Sequence, residues 1–149
     1  PGGGPTPAGF ARVTDEELRA VGLSRQKTAY LRDLCERIGA GTLDLNALDA
    51  LPDEEVIDAL VEVKGIGRWS AAMFLIFRLH RPDVLPLGDL GIVVAVQRAY
   101  RLRTRPKPER LRKMGEAWPY RSVASWYLWR SLDNEPVPAP TPAKRRQSA

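Results

Sequence analysis

Seven residues, Val63-Lys-Gly-Ile-Gly-Arg-Trp69, join two apolar stretches and restrict what this chain can fold into. Before them, Val56, Ile57 and Leu60 recur at helical spacing. After them, Arg68 to Leu79 is almost continuously apolar and reads as a second helix. A Gly-x-Gly turn between two helices folds them back on each other, and Ala71 and Ala72 leave room for close packing. Glycine permits positive φ and the close approach of another backbone. The turn also opens a helix N-terminus, where free N–H groups and the helix dipole favour an anion. On this feature alone two readings stay open. It is either a tight αα-turn with glycines for geometry, or a clamp for a phosphate, to which Lys64 and Arg68 would add charge-assisted contacts.

The rest of the chain carries helix signals and no strand pattern of period two. Thr14-Asp-Glu-Glu17 is a capping box and Gly22 a natural stop. Ser24 caps a helix with Tyr30, Leu31, Leu34, Cys35 and Ile38 on one side, ended by Gly39 and Gly41. Leu45 to Leu51 reads as a turn of helix, and Asp53 caps the helix ahead of the hairpin. Arg81-Pro-Asp-Val-Leu-Pro86 forces an extended connection. Gly88 to Tyr100 reads as a helix with Ile92, Val93, Val96 and Tyr100 on one side. Another starts at Pro106 or Pro108, with Leu111 and Met114 inward, and the last runs from Tyr120 to Leu132. The expected fold is all-α: a flexible segment over residues 1–9, one helical domain over 10–133, and a disordered Pro/basic tail over 134–149.

A chain of 149 residues suffices for one domain that buries most of its apolar surface. The net charge of +5 favours a polyanionic partner; part of it lies in Lys144-Arg145-Arg146, and the remainder is spread over helices. Cys35 is the single cysteine and His80 the single histidine. An intramolecular disulfide, an iron–sulfur cluster and a His/Cys metal site are therefore excluded. Cys35 is expected to be a core thiol. The start has no signal-peptide profile, so secretion is not expected; a cytoplasmic or nucleoid location in a bacterium, or a nuclear one in a eukaryote, is.

Four segments carry a resemblance: Leu60 to Ala72, Arg81 to Gly91, Arg121 to Trp129, and Glu17 to Lys27. Together they are similar to the helix-hairpin-helix DNA glycosylases, on the 3-methyladenine DNA glycosylase II branch, over roughly residues 10 to 132. The resemblance implies a monofunctional enzyme that hydrolyses the N-glycosidic bond of alkylated purines such as 3-methyladenine in double-stranded DNA. It leaves a monovalent cation at the hairpin open. It places Lys64, Gly65, Ile66, Gly67, Arg68 and Ser70 on the DNA, and Trp69, Met73, Leu90 and Trp129 around the flipped base. Bifunctional relatives carry a Schiff-base lysine two residues after the second hairpin glycine. Trp69 stands there, and an indole cannot form an imine.

Asp89 is the expected catalytic residue. A carboxylate stabilises the oxocarbenium character that develops on the sugar and can orient a water. From the residues alone a helix N-cap is an equal reading, since Gly88-Asp89 opens a helix. Trp69 and Trp129 likewise suit either a pocket for a cationic base or core packing; Trp118 and Trp126 read as structural. The family pattern carries further helices ahead of the position of Pro1, so the chain is expected to be the hairpin-bearing half of a glycosylase. Phe74, Phe77 and Trp126 are then expected to be left partly uncovered. The alternative function is a catalytically weak or inactive DNA-binding remnant.

Overall fold

The computed structural model describes residues 6–133. Among them the chain forms eight α-helices and one 3-10 turn, with no strand. The flexible start expected over residues 1–9 is helical from Pro7: α1 spans Pro7–Ala11, with the Thr6 side chain capping it and Pro7 at its first position. Residues 1–5 and the tail from 134 lie outside the described residues. Helix α2 (Asp15–Ala20) has the expected capping box, and Gly22 follows it at φ 89°. Arg32 of α3 (Arg25–Gly39) ties α1 and α2 down, donating to the carbonyls of Phe10 and Val13 and to Asp15.

The apolar side of α3 packs less deeply than its spacing predicts. Leu34 and Ile38 touch the core, Leu31 is exposed, and only Thr28 is buried. Cys35 is half-buried beside α1 rather than a core thiol, because only a five-residue helix covers that side.

The core has two parts. The first is built by α4 (Asp53–Val61) and α5 (Arg68–Phe77), where Val56, Ile57, Leu60, Ala71, Ala72 and Leu75 interdigitate with Leu43 and Leu48 from the 3-10 turn region. Pro52, not Asp53, is the N-cap of α4, and Asp53 begins the helix. The second joins α6 (Leu90–Ala99) to α7 (Pro108–Gly115) through Ile92, Val96 and Leu111. Each of the fully buried aliphatic side chains contributes about 1.5–3 kcal/mol relative to exposure. Trp129 of α8 (Arg121–Asp133) packs against both parts. Tyr100, expected on the same side as Ile92 and Val96, is half exposed: α6 ends at Ala99, and the Tyr100 hydroxyl oxygen accepts a hydrogen bond from Trp118 Nε1.

The connection from α5 to α6 is pinned to the start of α8. The Ser122 hydroxyl accepts from the Val84 amide at 2.9 Å and donates to the Arg81 carbonyl at 2.6 Å. Arg121 grips Asp83 through Nε and Nη2, and its amide donates to the same carboxylate. These bonds hold the Asp83 carboxyl down to about 2. Residue 89 is therefore delivered by a strapped segment.

Candidate active site

Asp89 caps α6, its Oδ1 accepting from the Ile92 amide at 2.8 Å. The same carboxylate does more. Trp129 Nε1 donates to Oδ1 at 3.0 Å, and Trp69 Nε1 donates to Oδ2 at 2.7 Å. Three helices thus supply donors to one acid that is only 8% exposed. Desolvation pushes its carboxyl up, but the bonds from Trp129, Trp69 and the α6 amides outweigh this and leave it below the ordinary value. Asp89 is an anion at neutral pH, as stabilising a nearby positive charge requires. The cap and the catalytic readings do not exclude each other, because Oδ1 takes both the α6 amide and Trp129 while Oδ2 takes Trp69 alone and keeps a lone pair.

The indoles differ in setting. Trp69 sits in the first turn of α5 and is 50% exposed, so its ring is available to a partner. Trp129 is half-buried, stacked with Phe77 at 6.0 Å and 26°. Phe77 is also half exposed and extends the aromatic wall, a role its sequence position does not announce. Gly91 is a second residue without a sequence-level signal beyond lying in the Asp89 segment. A Cβ there would meet Asp89 Oδ1 at 3.0 Å and Trp129 Cδ1 at 3.2 Å, so the clasp needs a glycine. The other expected pocket residues are looser. Met73 is half-buried against the first core, and Leu90 is 61% exposed beside Asp89. Trp118 is half-buried against the second core, whereas Trp126 lies on the surface with Tyr127 edge-on to it and Arg130 over its ring.

The hairpin uses its two glycines differently. Gly65 has φ 82°, and a Cβ on it would fall inside the Tyr30 ring. Its glycine is demanded by the chain's own packing. Gly67 has an extended backbone and open space where a Cβ would project. Among the described residues no side chain caps α5 above it, which leaves the first-turn amides, Ser70 among them, without a side-chain acceptor there. Ile66 instead packs half-buried on the core. Lys64 and Arg68 already have partners: Lys64 pairs with Asp33, which also accepts the Lys64 amide, and Arg68 pairs with Glu54 and Asp58. Arg68 and its two acids are exposed, a pairing worth at most about 1 kcal/mol, whereas Lys64 is held to an Asp33 side chain only 11% exposed. A groove of about 550 Å³ runs from Arg68 and Trp69 along Leu85–Gly88 to Arg112 of α7.

The profile of the HhH-GPD superfamily of base excision DNA repair proteins matches residues 2–120. The chain belongs to that superfamily. A putative DNA-3-methyladenine glycosylase of Bacillus subtilis is 36% identical over 130 residues, 87% of this chain and 45% of that protein. DNA-3-methyladenine glycosylase 1 of Schizosaccharomyces pombe is 36% identical over 129 residues, 85% and 57% of the two chains. The solved structure of the Schizosaccharomyces pombe 3-methyladenine DNA glycosylase in complex with abasic DNA matches at a TM-score of 0.79 and 36% identity, over 87% of this chain and 64% of that one. This HhH-GPD chain spans about half the length of the curated relatives it matches.

Proposed function

We propose that this chain carries the catalytic half-site of a monofunctional DNA glycosylase that hydrolyses the N-glycosidic bond of alkylated purines such as 3-methyladenine. One observation carries the reading: a buried, ionised carboxylate held by two indole donors beside an uncapped Gly-x-Gly hairpin. The hairpin amides hold a phosphate of the damaged strand. That places the sugar of the flipped nucleotide over Asp89. As the base departs with its bonding electrons, C1′ becomes cationic, and the Asp89 anion in its desolvated setting stabilises that charge. A water oxygen then bonds to C1′ and loses a proton. An alkylated purine leaves as a neutral base because it carries its own positive charge, and it needs no acid from the protein. The exposed Trp69 face and the Phe77–Trp129 stack suit a flat cation.

Trp69 offers no amine to C1′, so the reaction stops at the abasic site. The test uses a duplex with one 3-methyladenine or 7-methylguanine. Strand breaks are expected only after alkali, with no adduct trapped by borohydride. A trapped adduct would overturn the hydrolytic mechanism. Binding without base release by a folded preparation would instead favour a DNA-binding module.

A further inference from the structure

The positive charge of this protein is not spread over its helices. From Arg98 to Lys113 there are eight lysines and arginines against one acid, Glu109, a net of +7 in 16 residues. The hairpin unit from Asp53 to Arg68 carries five acids against Lys64 and Arg68, a net of −3. The overall +5 therefore cannot be credited to the hairpin.

The two sets of cations also behave differently. Arg98, Arg101, Arg103, Arg105, Lys107, Arg110, Arg112 and Lys113 are all exposed. None makes an ion pair among the described residues, whereas eight of the twelve other cations there do. Like charges at helical spacing repel, and a merely solvated face is usually laced with acids. This one has been left without them.

Position gives the segment a role. It begins at the far end of α6, the helix that Asp89 opens, about 15 Å away for a ten-residue helix. It then turns back: Leu111 of α7 packs on Ile92 and Val96, and Arg112 lines the same groove as Arg68 and Trp69. A strip that runs back along the ~15 Å of α6 spans about four phosphates of one strand at ~3.4 Å each.

We propose that residues 98–113 form a second DNA-backbone surface, which holds the duplex flanking the lesion while the hairpin holds it by backbone amides. The inference rests on duplex DNA being the partner. It assigns the salt-dependent part of affinity to this strip and little of it to the hairpin. Its members touch phosphate, so they add no sequence preference.

The experiment measures binding of the full chain to an undamaged duplex across a salt series. The compared variants are the loop triple R103Q/R105Q/K107Q and a control triple, R12Q/R25Q/R78Q, which removes three exposed cations elsewhere that make no ion pair among the described residues. Glutamine keeps the polar stem, and thermal unfolding checks that each variant folds. The loop triple should lose at least ~10-fold in low-salt affinity, and the slope of log K against log salt should fall by roughly 0.9 for each phosphate that is no longer neutralised. The control triple should move the slope by less than the step for a single phosphate. If both triples fall equally, net charge rather than a surface is responsible and the inference fails. If the wild type binds and the loop triple binds with the same slope, the inference fails while the glycosylase reading stands. Failure of the folded wild type to bind any duplex sinks both. Equal competition by polyglutamate at matched charge would also overturn it, by showing a general polyanion surface.

Discussion

Asp89 and the hairpin meet at the first turn of α5, and they treat polar groups in opposite ways. The Asp89 carboxylate is satisfied from within, by donors on α5, α6 and α8. The hairpin leaves the N-terminal amides of α5 without a side-chain acceptor and keeps open space over Gly67. Where the chain saturates its own groups, geometry and charge are set before any partner arrives, which is what electrostatic catalysis needs. Where it leaves donors and space, a partner completes the structure. The difference also separates the two hairpin glycines, one spent on the fold and the other left for contact.

The largest test of this contrast is Asp89→Asn. Base release should fall by about 10²-fold or more, because the charge is lost. Folding should also suffer by about 1–3 kcal/mol, since an amide nitrogen would face an indole N–H and leave it unpaired. An abasic-site assay beside thermal unfolding reads both, and an unchanged melting temperature would show that the clasp is not saturated as described. Gly65→Ala comes next. Crowding against Tyr30 should cost about 1–3 kcal/mol, with roughly 1–2 more from the left-handed backbone. A Tyr30→Ala background should return part of the loss in denaturant unfolding.

Trp129→Phe keeps an aromatic ring, though a smaller one, and removes one donor, for a loss of about 1–2 kcal/mol from the hydrogen bond and the packing together. It should also move the Asp89 carboxyl upward. A depressed carboxyl stabilises the fold fully above its unfolded value, 3.8, and that contribution is lost as pH falls through the folded value. The wild type should therefore hold its stability down to about pH 4 and lose it below. Asp83, at about 2, contributes in the same direction. The variant should lose less over that range, and the acid limb of its activity profile should shift to higher pH. The smallest effect on folding belongs to Gly67→Ala, within about 0.5 kcal/mol. Duplex affinity should nevertheless drop, and an unchanged affinity would show that the open space over Gly67 is not where the backbone lies.

Helix positions were legible in the sequence where a cap announced them: Thr14, Ser24, Gly22 and the hairpin stand where the pattern puts them, and Asp53 misses its cap by one residue. Helix α1 carried the same kind of signal, Thr6 followed by Pro7, but the surrounding glycines and prolines masked it. The Asp89–Trp69–Trp129 trio was nameable residue by residue, whereas its hydrogen bonds were not. Spacing along a chain says which face a side chain occupies, and a 2.7 Å bond between residues 20 apart depends on how helices cross. Phe77 escaped for the same reason, and so did Gly91, whose Cβ would crowd both the Asp89 carboxylate and Trp129 of α8. Pairing of Lys64 and Arg68 with acids is likewise a tertiary fact.

The strap on α8 has a consequence for how this lineage can change length. Ser122 fastens the segment that leads to Asp89, and Trp129, seven residues on, reaches the acid itself. Seven residues are close to two helical turns, about 10 Å, so both groups share one face. Adding or deleting a single residue between them would rotate Trp129 by about 100° and carry its N–H away from Asp89. Insertions and deletions should accordingly be rare within 121–129 and within 81–92, and should gather in connections that span no such pair, such as the one between α6 and α7. An alignment of many relatives would show the site as two ungapped blocks whose internal spacing outlasts the identity of most residues in them.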